Sequence, residues 1–181
     1  LEAISTDDRG VLERTAARIE IFAKGQRESL SSFEMSIPGG RAGHQLAPVA
    51  RAGCYAPGGR FPLPSTVLMT VITARVAGVQ EVIVASPKPT PITLAAAAVA
   101  GADQLIAIGG AQVIGALTFG AGEIEPVDVI VGPGNRWVTA AKKYVSGYVG
   151  IDMLAGPSEL VVWADDSVEP NVVAADLLAQ A

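Results

Sequence analysis

The stretch EVIVASPKPTPITLAAAAVAGADQLIAIGG, residues 81–110, decides the fold class of this 181-residue chain. It opens with a short apolar run at 81–85, which predicts a strand because strands covered on both faces lack regular polar alternation. An Ala-rich run at 90–100 predicts a helix, and the run at 104–108 predicts a second strand. Two strands joined by a helix over about 30 residues are typical of a parallel βαβ unit.

The same alternation continues on both sides of this unit. Upstream, residues 46–55 look extended, and Pro64 opens a predicted helix that runs to Ala77. We therefore predict an α/β fold, an incomplete Rossmann-like open parallel sheet with helices on both faces and right-handed crossovers, preceded by an N-terminal helix. The other predicted elements are the helix 111–119, the strand 127–131, the helix 136–145, the strand 160–164 and the helix 170–180.

The N-terminal part of the chain lacks this alternation. Asp7 or Asp8 is the predicted cap of a helix that runs to about residue 24. Residues 25–45 are polar and rich in Gly and Ser, so we interpret them as a connector. The predicted helix places four apolar residues on one face at helical spacing: Leu12, Ala16, Ile19 and Phe22.

These patterns divide the chain into three predicted units. They are an N-terminal helix and connector at 1–45, a Rossmann-like α/β domain at 46–168, and the start of a following helix at 169–181. That last helix has no stop signal, so we expect the chain to continue in a longer protein. The mean hydropathy is +0.40, and we expect part of the apolar surface to face further parts of the protein or a second subunit.

Composition excludes several classes of partner. The net charge is -5, which disfavours nucleic acid and anionic membranes because both attract a positive field. The longest apolar run, 92–102, is too short to span a bilayer, which needs about 20 residues. Cys54 is the single cysteine, so no internal disulfide forms, and we expect a cytoplasmic protein.

Glycines recur where the predicted strands end, which is where open α/β sheets bind ligands. Glycine lets the backbone approach a ligand closely, and the following helix N-terminus favours an anion such as pyrophosphate. One such loop alone is more simply a turn, but four favour a cleft for a small molecule or nucleotide. The sequence contains neither a GxGxxG fingerprint nor a Walker motif. The four loops are Gly58-Gly59, Gly109-Gly110, Gly132-Pro133-Gly134 and Gly156-Pro157.

Five blocks of sequence carry a more specific signal. They are residues 54–59 together with 65–69, 109–112, 132–135, 151–159 and 176–181. In this order they resemble the signature blocks of histidinol dehydrogenases, in which the last block leads directly into Glu-His. The resemblance runs from about residue 18 to residue 181. It implies a homodimeric enzyme that uses zinc and two NAD molecules in sequence to oxidise L-histidinol through an aldehyde to L-histidine.

The resemblance also implies roles for five residues. Tyr55, Gln112 and Asn135 match NAD-contacting positions, and their ring and amide groups suit packing on a cofactor and bonding to ribose and phosphate oxygens. Ser158 matches a substrate-contacting position, and Gln180 matches a zinc ligand that also faces the substrate. Simpler interpretations are a strand-end packing residue for Tyr55, helix caps for Gln112 and Asn135, and a solvated helix residue for Gln180.

The resemblance implies no catalytic residue within these 181 residues. It places the Glu–His pair that handles protons, and the His and Asp zinc ligands, beyond Ala181. We therefore expect the chain alone to have no turnover, to bind zinc poorly and to bind NAD weakly. The remaining interpretations are a buried inert thiol for Cys54, a surface position for His44, a structural role for Glu159, and core or interface positions for Trp137 and Trp163.

Three alternatives stay open. One is a sister dehydrogenase of the same superfamily that acts on another alcohol, such as a sulfonated diol; the block 109–112 and Ser158 favour the histidinol enzyme. The second is a non-catalytic nucleotide-binding or assembly domain, which NAD binding by a chain that stops at Ala181 would favour. The third is a structural fragment without activity.

Overall fold

The computed structural model describes residues 1–58, 61–154 and 159–180, apart from the side chain of Gln180. The strands are β1 Phe33–Ile37, β2 Gly40–His44, β3 Arg51–Tyr55, β4 Glu81–Ala85, β5 Gln104–Ile106, β6 Val129–Val131 and β7 Gly150–Ile151. The helices are α1 Thr6–Glu28, α2 Pro64–Ala77, α3 Pro91–Ala100, α4 Gly110–Phe119, α5 Arg136–Val145 and α6 Pro170–Gln180.

Five of these strands form one parallel sheet in the order β5-β4-β3-β6-β7. The central strand is β3, whose Cys54 lies opposite Val84 of β4 and Val131 of β6. Successive residues of a strand point to opposite faces, so a strand covered on both faces is apolar throughout. The predicted open parallel sheet is confirmed.

Helices cover both faces of the sheet, and each face has its own apolar core. On one face, α1, α2 and α3 pack over side chains such as Val82 and Val84. On the other face, α4 and α5 pack over Ile83 and Ile130. All four side chains are buried. The prediction of helices on both faces is therefore confirmed, and the carboxyl ends of the strands form an edge lined by loops.

The N-terminal helix is confirmed, but its predicted cap is wrong. Ser5 is the cap, because its hydroxyl oxygen accepts a hydrogen bond from the backbone N–H of Asp8 at 3.0 Å. Asp8 lies one turn inside the helix, and its carboxylate accepts from the Ser5 hydroxyl at 2.7 Å. Leu12 is buried as expected, whereas Phe22 is 70% exposed and the next residue, Ala23, is buried in its place.

The interpretation of residues 25–45 as a connector is wrong. Helix α1 continues to Glu28, and β1 and β2 then pair as an antiparallel hairpin whose residues are all exposed. The two residues between the strands, Pro38 and Gly39, suit a type II turn, and Gly39 has the positive φ, +87°, that its second central position needs. Strand β1 alternates apolar and polar residues, with Phe33, Met35 and Ile37 at every second position. This short signal was outweighed by the polar, Gly- and Ser-rich composition around it.

The predicted strand at 160–164 is also wrong. Residues 159–164 have no regular secondary structure and are exposed. An apolar run forms a strand only where it pairs with another strand, and residues 159–164 pair with none of the five described strands of the parallel sheet. Core positions for the tryptophans are wrong as well, because Trp137 is 63% and Trp163 99% exposed.

One face of the sheet is incompletely covered near β6. A groove of about 500 Å³ runs between α2 and residues 46–49, with Met69, Val129 and Val131 in its walls. Much of α6 is exposed too, so the expected apolar surface is present. Among the described helices, none combines the length and apolar character that crossing a membrane requires. The three-unit division at 1–45, 46–168 and 169–181 stays a prediction.

Candidate functional site

The carboxyl ends of the parallel strands meet along one edge of the sheet. Strand β3 leads through α2 to β4 on one side, whereas β6 leads through α5 to β7 on the other. The order of the sheet therefore reverses between β3 and β6, and open α/β sheets bind ligands at such a switch point. Tyr55 ends β3 and Gly132 follows β6, so these two residues flank the switch point.

Tyr55 connects the end of β3 to the start of α4. Its side chain is only 3% exposed, and its hydroxyl accepts a hydrogen bond from the backbone N–H of Gly110 at 3.3 Å. Gln112 lies on the first turn of α4, and its side-chain oxygen lies 2.6 Å from the point that a Cβ on Gly110 would occupy. The side chains of Tyr55 and Gln112 therefore both lie next to Gly110.

Gly132 makes the close approach between the loop after β6 and the end of β3. Its φ is +112°, and a Cβ at this position would lie 2.1 Å from the carbonyl oxygen of Tyr55. Both the backbone conformation and the space therefore require glycine. As a result, the loop 132–135 lies directly against the strand that ends in Tyr55.

Asn135 caps the helix that this loop leads into. Its Oδ1 accepts hydrogen bonds from the backbone N–H groups of Trp137 at 3.0 Å and Val138 at 3.1 Å. The predicted cap role of Asn135 is confirmed. The corresponding interpretation of Gln112 is wrong, because Gly109 is the cap residue of α4.

The helix N-termini at this edge favour negative charge. Helices α2, α3, α4 and α5 each follow a strand of the sheet and begin at the same edge. Their described first turns contain no acidic residue, and the cap side chains of α2, α3 and α4 accept no hydrogen bond from the backbone N–H groups of the helix. Unpartnered N–H groups and the positive end of the helix dipole attract an anion such as a phosphate group.

A buried ion pair supports the loop after β6. Lys142 is 3% exposed, and its Nζ donates to the carbonyl oxygen of Gly132 at 2.9 Å and to the carboxylate of Asp152. The other carboxylate oxygen of Asp152 accepts from the backbone N–H of Gly132 at 2.8 Å. The backbone N–H and the carbonyl oxygen of Gly132 are therefore both hydrogen-bonded to the Lys142–Asp152 ion pair.

Sequence reasoning assigned no role to this pair. One signal was available, because Lys142 lies between Val138 and Val145 on the buried side of α5, and a lysine among apolar positions needs a buried partner. The partner, Asp152, was visible only as a residue that precedes a Gly-Pro turn.

Two predicted site residues fall where the structure gives no side-chain position. Ser158 lies outside the described residues. Gln180 is the last residue of α6, and its side chain lies outside the description as well. In the described part of the chain, three or more His, Cys, Asp or Glu residues do not come together as metal ligands do. The substrate and zinc roles of Ser158 and Gln180 therefore stay predictions.

The other sequence interpretations concern single residues. Cys54 is buried, and burial raises the pKa of its thiol from 9.0 to about 11, which fits the predicted inert thiol. His44 is exposed, as predicted, with a ring nitrogen 3.1 Å from the carbonyl oxygen of Ser31. Glu159 is exposed, and its structural role stays a prediction.

Comparison with known proteins adds the family context. A family model described as histidinol dehydrogenase matches residues 1–181. The chain is 54% identical over 181 residues to a histidinol dehydrogenase of Thermus thermophilus, with 99% of this chain and 43% of the relative covered. It is 50% identical over 184 residues to a histidinol dehydrogenase of Halobacterium salinarum, again with 99% and 43% covered.

A solved structure shows the same fold. The crystal structure of histidinol dehydrogenase from Elizabethkingia anophelis matches with a TM-score of 0.80 and 37% identity. The match covers 98% of this chain and 45% of that chain. The chain thus spans less than half the length of the proteins that it resembles.

Proposed function

This chain belongs to the histidinol dehydrogenase family, and on that premise we propose that it supplies the NAD-binding part of an enzyme that oxidises L-histidinol through the aldehyde to L-histidine. The observation that carries the proposal is the convergence of Tyr55, Gln112 and Asn135 on the loops beside the β3–β6 switch point. The family resemblance assigns these three residues to NAD independently of their geometry.

The residues of this edge suit a dinucleotide. The N-termini of α4 and α5 present the positive ends of their helix dipoles to a pyrophosphate. The side-chain amides of Gln112 and Asn135 are available for ribose or phosphate oxygens, since Oδ1 alone of Asn135 serves the helix cap. When bound, NAD supplies the acceptor for the hydride that leaves the substrate carbon.

Tyr55 has a positioning part in this proposal. Its buried hydroxyl holds the Gly110 amide, and so fixes the first turn of α4, on which Gln112 lies. Its carbonyl oxygen faces Gly132, so the same residue also fixes the distance to the loop that carries Asn135. A dinucleotide that touches both loops needs this separation to be constant.

Substrate and zinc enter the proposal through Ser158 and Gln180 alone. A zinc site needs about four ligands, and the described residues bring no such set together. The other ligands and the proton-handling pair would come from outside residues 1–181.

Homodimer formation and a cytoplasmic location are further parts of the proposal. Exposed apolar side chains such as Val161 and Leu178 support the former, and the single buried Cys54 supports the latter.

The test compares two forms of the protein. The gene product that contains these residues is purified, and NADH formation from L-histidinol is measured with and without added zinc. The 181-residue polypeptide, verified by mass, is assayed in parallel, and NAD binding by both forms is measured by calorimetry. We expect turnover by the gene product, none by the polypeptide, and weaker NAD binding by the polypeptide.

Two outcomes would contradict the proposal. Turnover of a sulfonated diol in preference to L-histidinol would favour the sister dehydrogenase. Absence of NAD binding by the gene product would remove the dinucleotide role of the edge altogether.

A further inference from the structure

The ammonium of Lys142 is placed where a charge is unfavourable. It lies on the inner side of α5 between Val138 and Val145, and all three residues are buried. Burial of a charge has a large desolvation cost, and an apolar residue of similar size in place of a buried ion pair is often neutral or stabilising. Packing alone therefore gives no reason for a lysine at this position.

The hydrogen bonds of the ammonium indicate a local purpose. Lys142 donates to the carbonyl oxygen of Gly132 and to Oδ1 of Asp152, and Oδ2 of Asp152 accepts from the N–H of Gly132. These three bonds close a ring around one residue. Gly132 is also the residue with a φ of +112° and no space for a Cβ, so the ring holds the backbone at its closest approach to β3.

Asp152 extends this ring to a second loop. Its Oδ1 also accepts from the backbone N–H of Met153 at 2.7 Å. Asp152 follows β7 directly, and the chain then leads toward Ser158. One ion pair thus joins the loop that carries Asn135 to the segment that precedes the predicted substrate residue.

We propose that Lys142 and Asp152 are a positioning pair that holds the loop 132–135 and the segment 152–154 in fixed relation, so that the proposed NAD-contacting and substrate-contacting residues act together. This inference rests on the proposed function for its effect on NAD. The effect of the pair on the two loops does not depend on the proposed function, because it can be measured without any ligand.

The first measurement is backbone amide hydrogen exchange in the purified gene product without ligand. Lys142→Met removes the charge and keeps a stem of similar length, and Lys143→Met is the matched control because Lys143 is the exposed neighbour on the same helix. We expect exchange in the segments 130–136 and 150–154 to become at least about tenfold faster in Lys142→Met. Exchange in β4, which is remote from the pair in sequence, and exchange throughout Lys143→Met should not change.

The second measurement separates positioning from general stability. In steady-state assays of the folded enzyme, Lys142→Met should raise the KM for NAD about tenfold or more while kcat changes less than about threefold, because the pair acts on binding geometry. The double variant Lys142→Met/Asp152→Asn removes the pair without an unpaired buried charge, so it serves if the single variant folds poorly. It should show the same two effects.

Unchanged exchange in both segments would overturn the proposal, as would an equal increase in β4, which indicates general destabilisation. Faster exchange with an unchanged KM for NAD would overturn it too, since the loops would then be held for another reason. If the unsubstituted protein binds no NAD, the proposed function fails, and the exchange measurement alone decides whether the pair holds the loops.

Discussion

The hydroxyl of Tyr55 accepts a hydrogen bond from the backbone N–H of Gly110, a residue 55 positions later in the chain. The bond crosses from the central strand of the sheet to the start of α4, and it lies at the edge where the family resemblance places NAD. A contact between one side chain and one helix start therefore joins two separate loops of the candidate site.

We predict that Tyr55→Phe loses this bond without loss of packing. The free energy of unfolding should fall by about 1 kcal/mol, which is typical of one hydrogen bond, and NAD affinity should fall several-fold because the first turn of α4 is less firmly placed. Chemical denaturation and calorimetric titration check the two effects. Tyr144→Phe is the control, since Tyr144 is exposed, and an equal loss there would contradict the explanation.

A second prediction compares Gly132 with Gly101, and it distinguishes the cost of backbone strain from the cost of steric overlap. Gly132→Ala places a Cβ 2.1 Å from the carbonyl oxygen of Tyr55 at a φ of +112°. Gly101→Ala has a similar backbone problem, a φ of +78°, but no atom within 4 Å of its Cβ.

Gly101→Ala should therefore lower the free energy of unfolding by about 1–2 kcal/mol, the usual cost of a left-handed residue other than glycine. Gly132→Ala should cost about 3 kcal/mol or more, because overlap with backbone adds to the strain. Urea unfolding of both variants gives the comparison. Equal costs would mean that the loop 132–135 moves away from β3 easily.

Asn135 offers a way to separate its cap role from its proposed ligand role. Asp caps helices as well as Asn does, but a carboxylate repels phosphate oxygens. We predict that Asn135→Asp leaves thermal stability nearly unchanged and weakens NAD binding about tenfold or more. Asn135→Ala should lower stability by about 1 kcal/mol and also weaken binding. If Asn135→Asp binds NAD normally, Asn135 is a cap and nothing more.

Cys54 predicts a loss of stability at alkaline pH. Burial raises the pKa of its thiol from 9.0 to about 11. Between these two values the unfolded chain releases the thiol proton while the folded chain keeps it, so the unfolded state is favoured. The stability that the protonated thiol contributes is fully present below pH 9.0 and is lost as the pH rises through about 11. The loss is at most about 3 kcal/mol.

Cys54→Ala should flatten this alkaline slope, even though its stability at neutral pH is lower because of the cavity. Urea unfolding of both proteins at several pH values between 8 and about 11 checks the difference in slope. Parallel slopes would show that other groups cause the alkaline loss.

In the folded protein at neutral pH, thiol reagents should react slowly with Cys54, because the site is buried and the thiol is protonated.

The sequence predicted those parts of the fold that depend on local pattern. The strand Glu81–Ala85 was recognised because both of its faces are buried, and the cap at Asn135 was recognised because capping depends on only three or four residues. The run at 160–164 was misread, since strand propensity does not say whether a partner strand is available. The hairpin of β1 and β2 was not predicted because the alternation of Phe33, Met35 and Ile37 in β1 is short, and β2, Gly40–His44, has no such alternation.

The candidate site was predictable residue by residue but not as an arrangement. Tyr55, Gln112 and Asn135 were named from resemblance, whereas the Tyr55–Gly110 bond depends on the order of strands in the sheet. The same is true of Lys142 and Asp152, which lie ten residues apart but meet only because α5 returns along the sheet from β6 to β7. Contacts of this kind follow from topology, which the sequence pattern left open.

The exposed tryptophan on α5 has a practical consequence. Trp137 lies two residues after Asn135, and the guanidinium of Arg136 lies 4.9 Å from the centre of its ring. The fluorescence of an indole responds to nearby charge and to solvent. The emission of Trp137 should therefore change when a ligand binds at the loop 132–135. Trp163, the second tryptophan among these 181 residues, is fully exposed and distant in sequence, so the 181-residue polypeptide with Trp163→Phe would emit from Trp137 alone. Nucleotide binding and loop motion could then be followed in real time by stopped-flow fluorescence, without an attached dye.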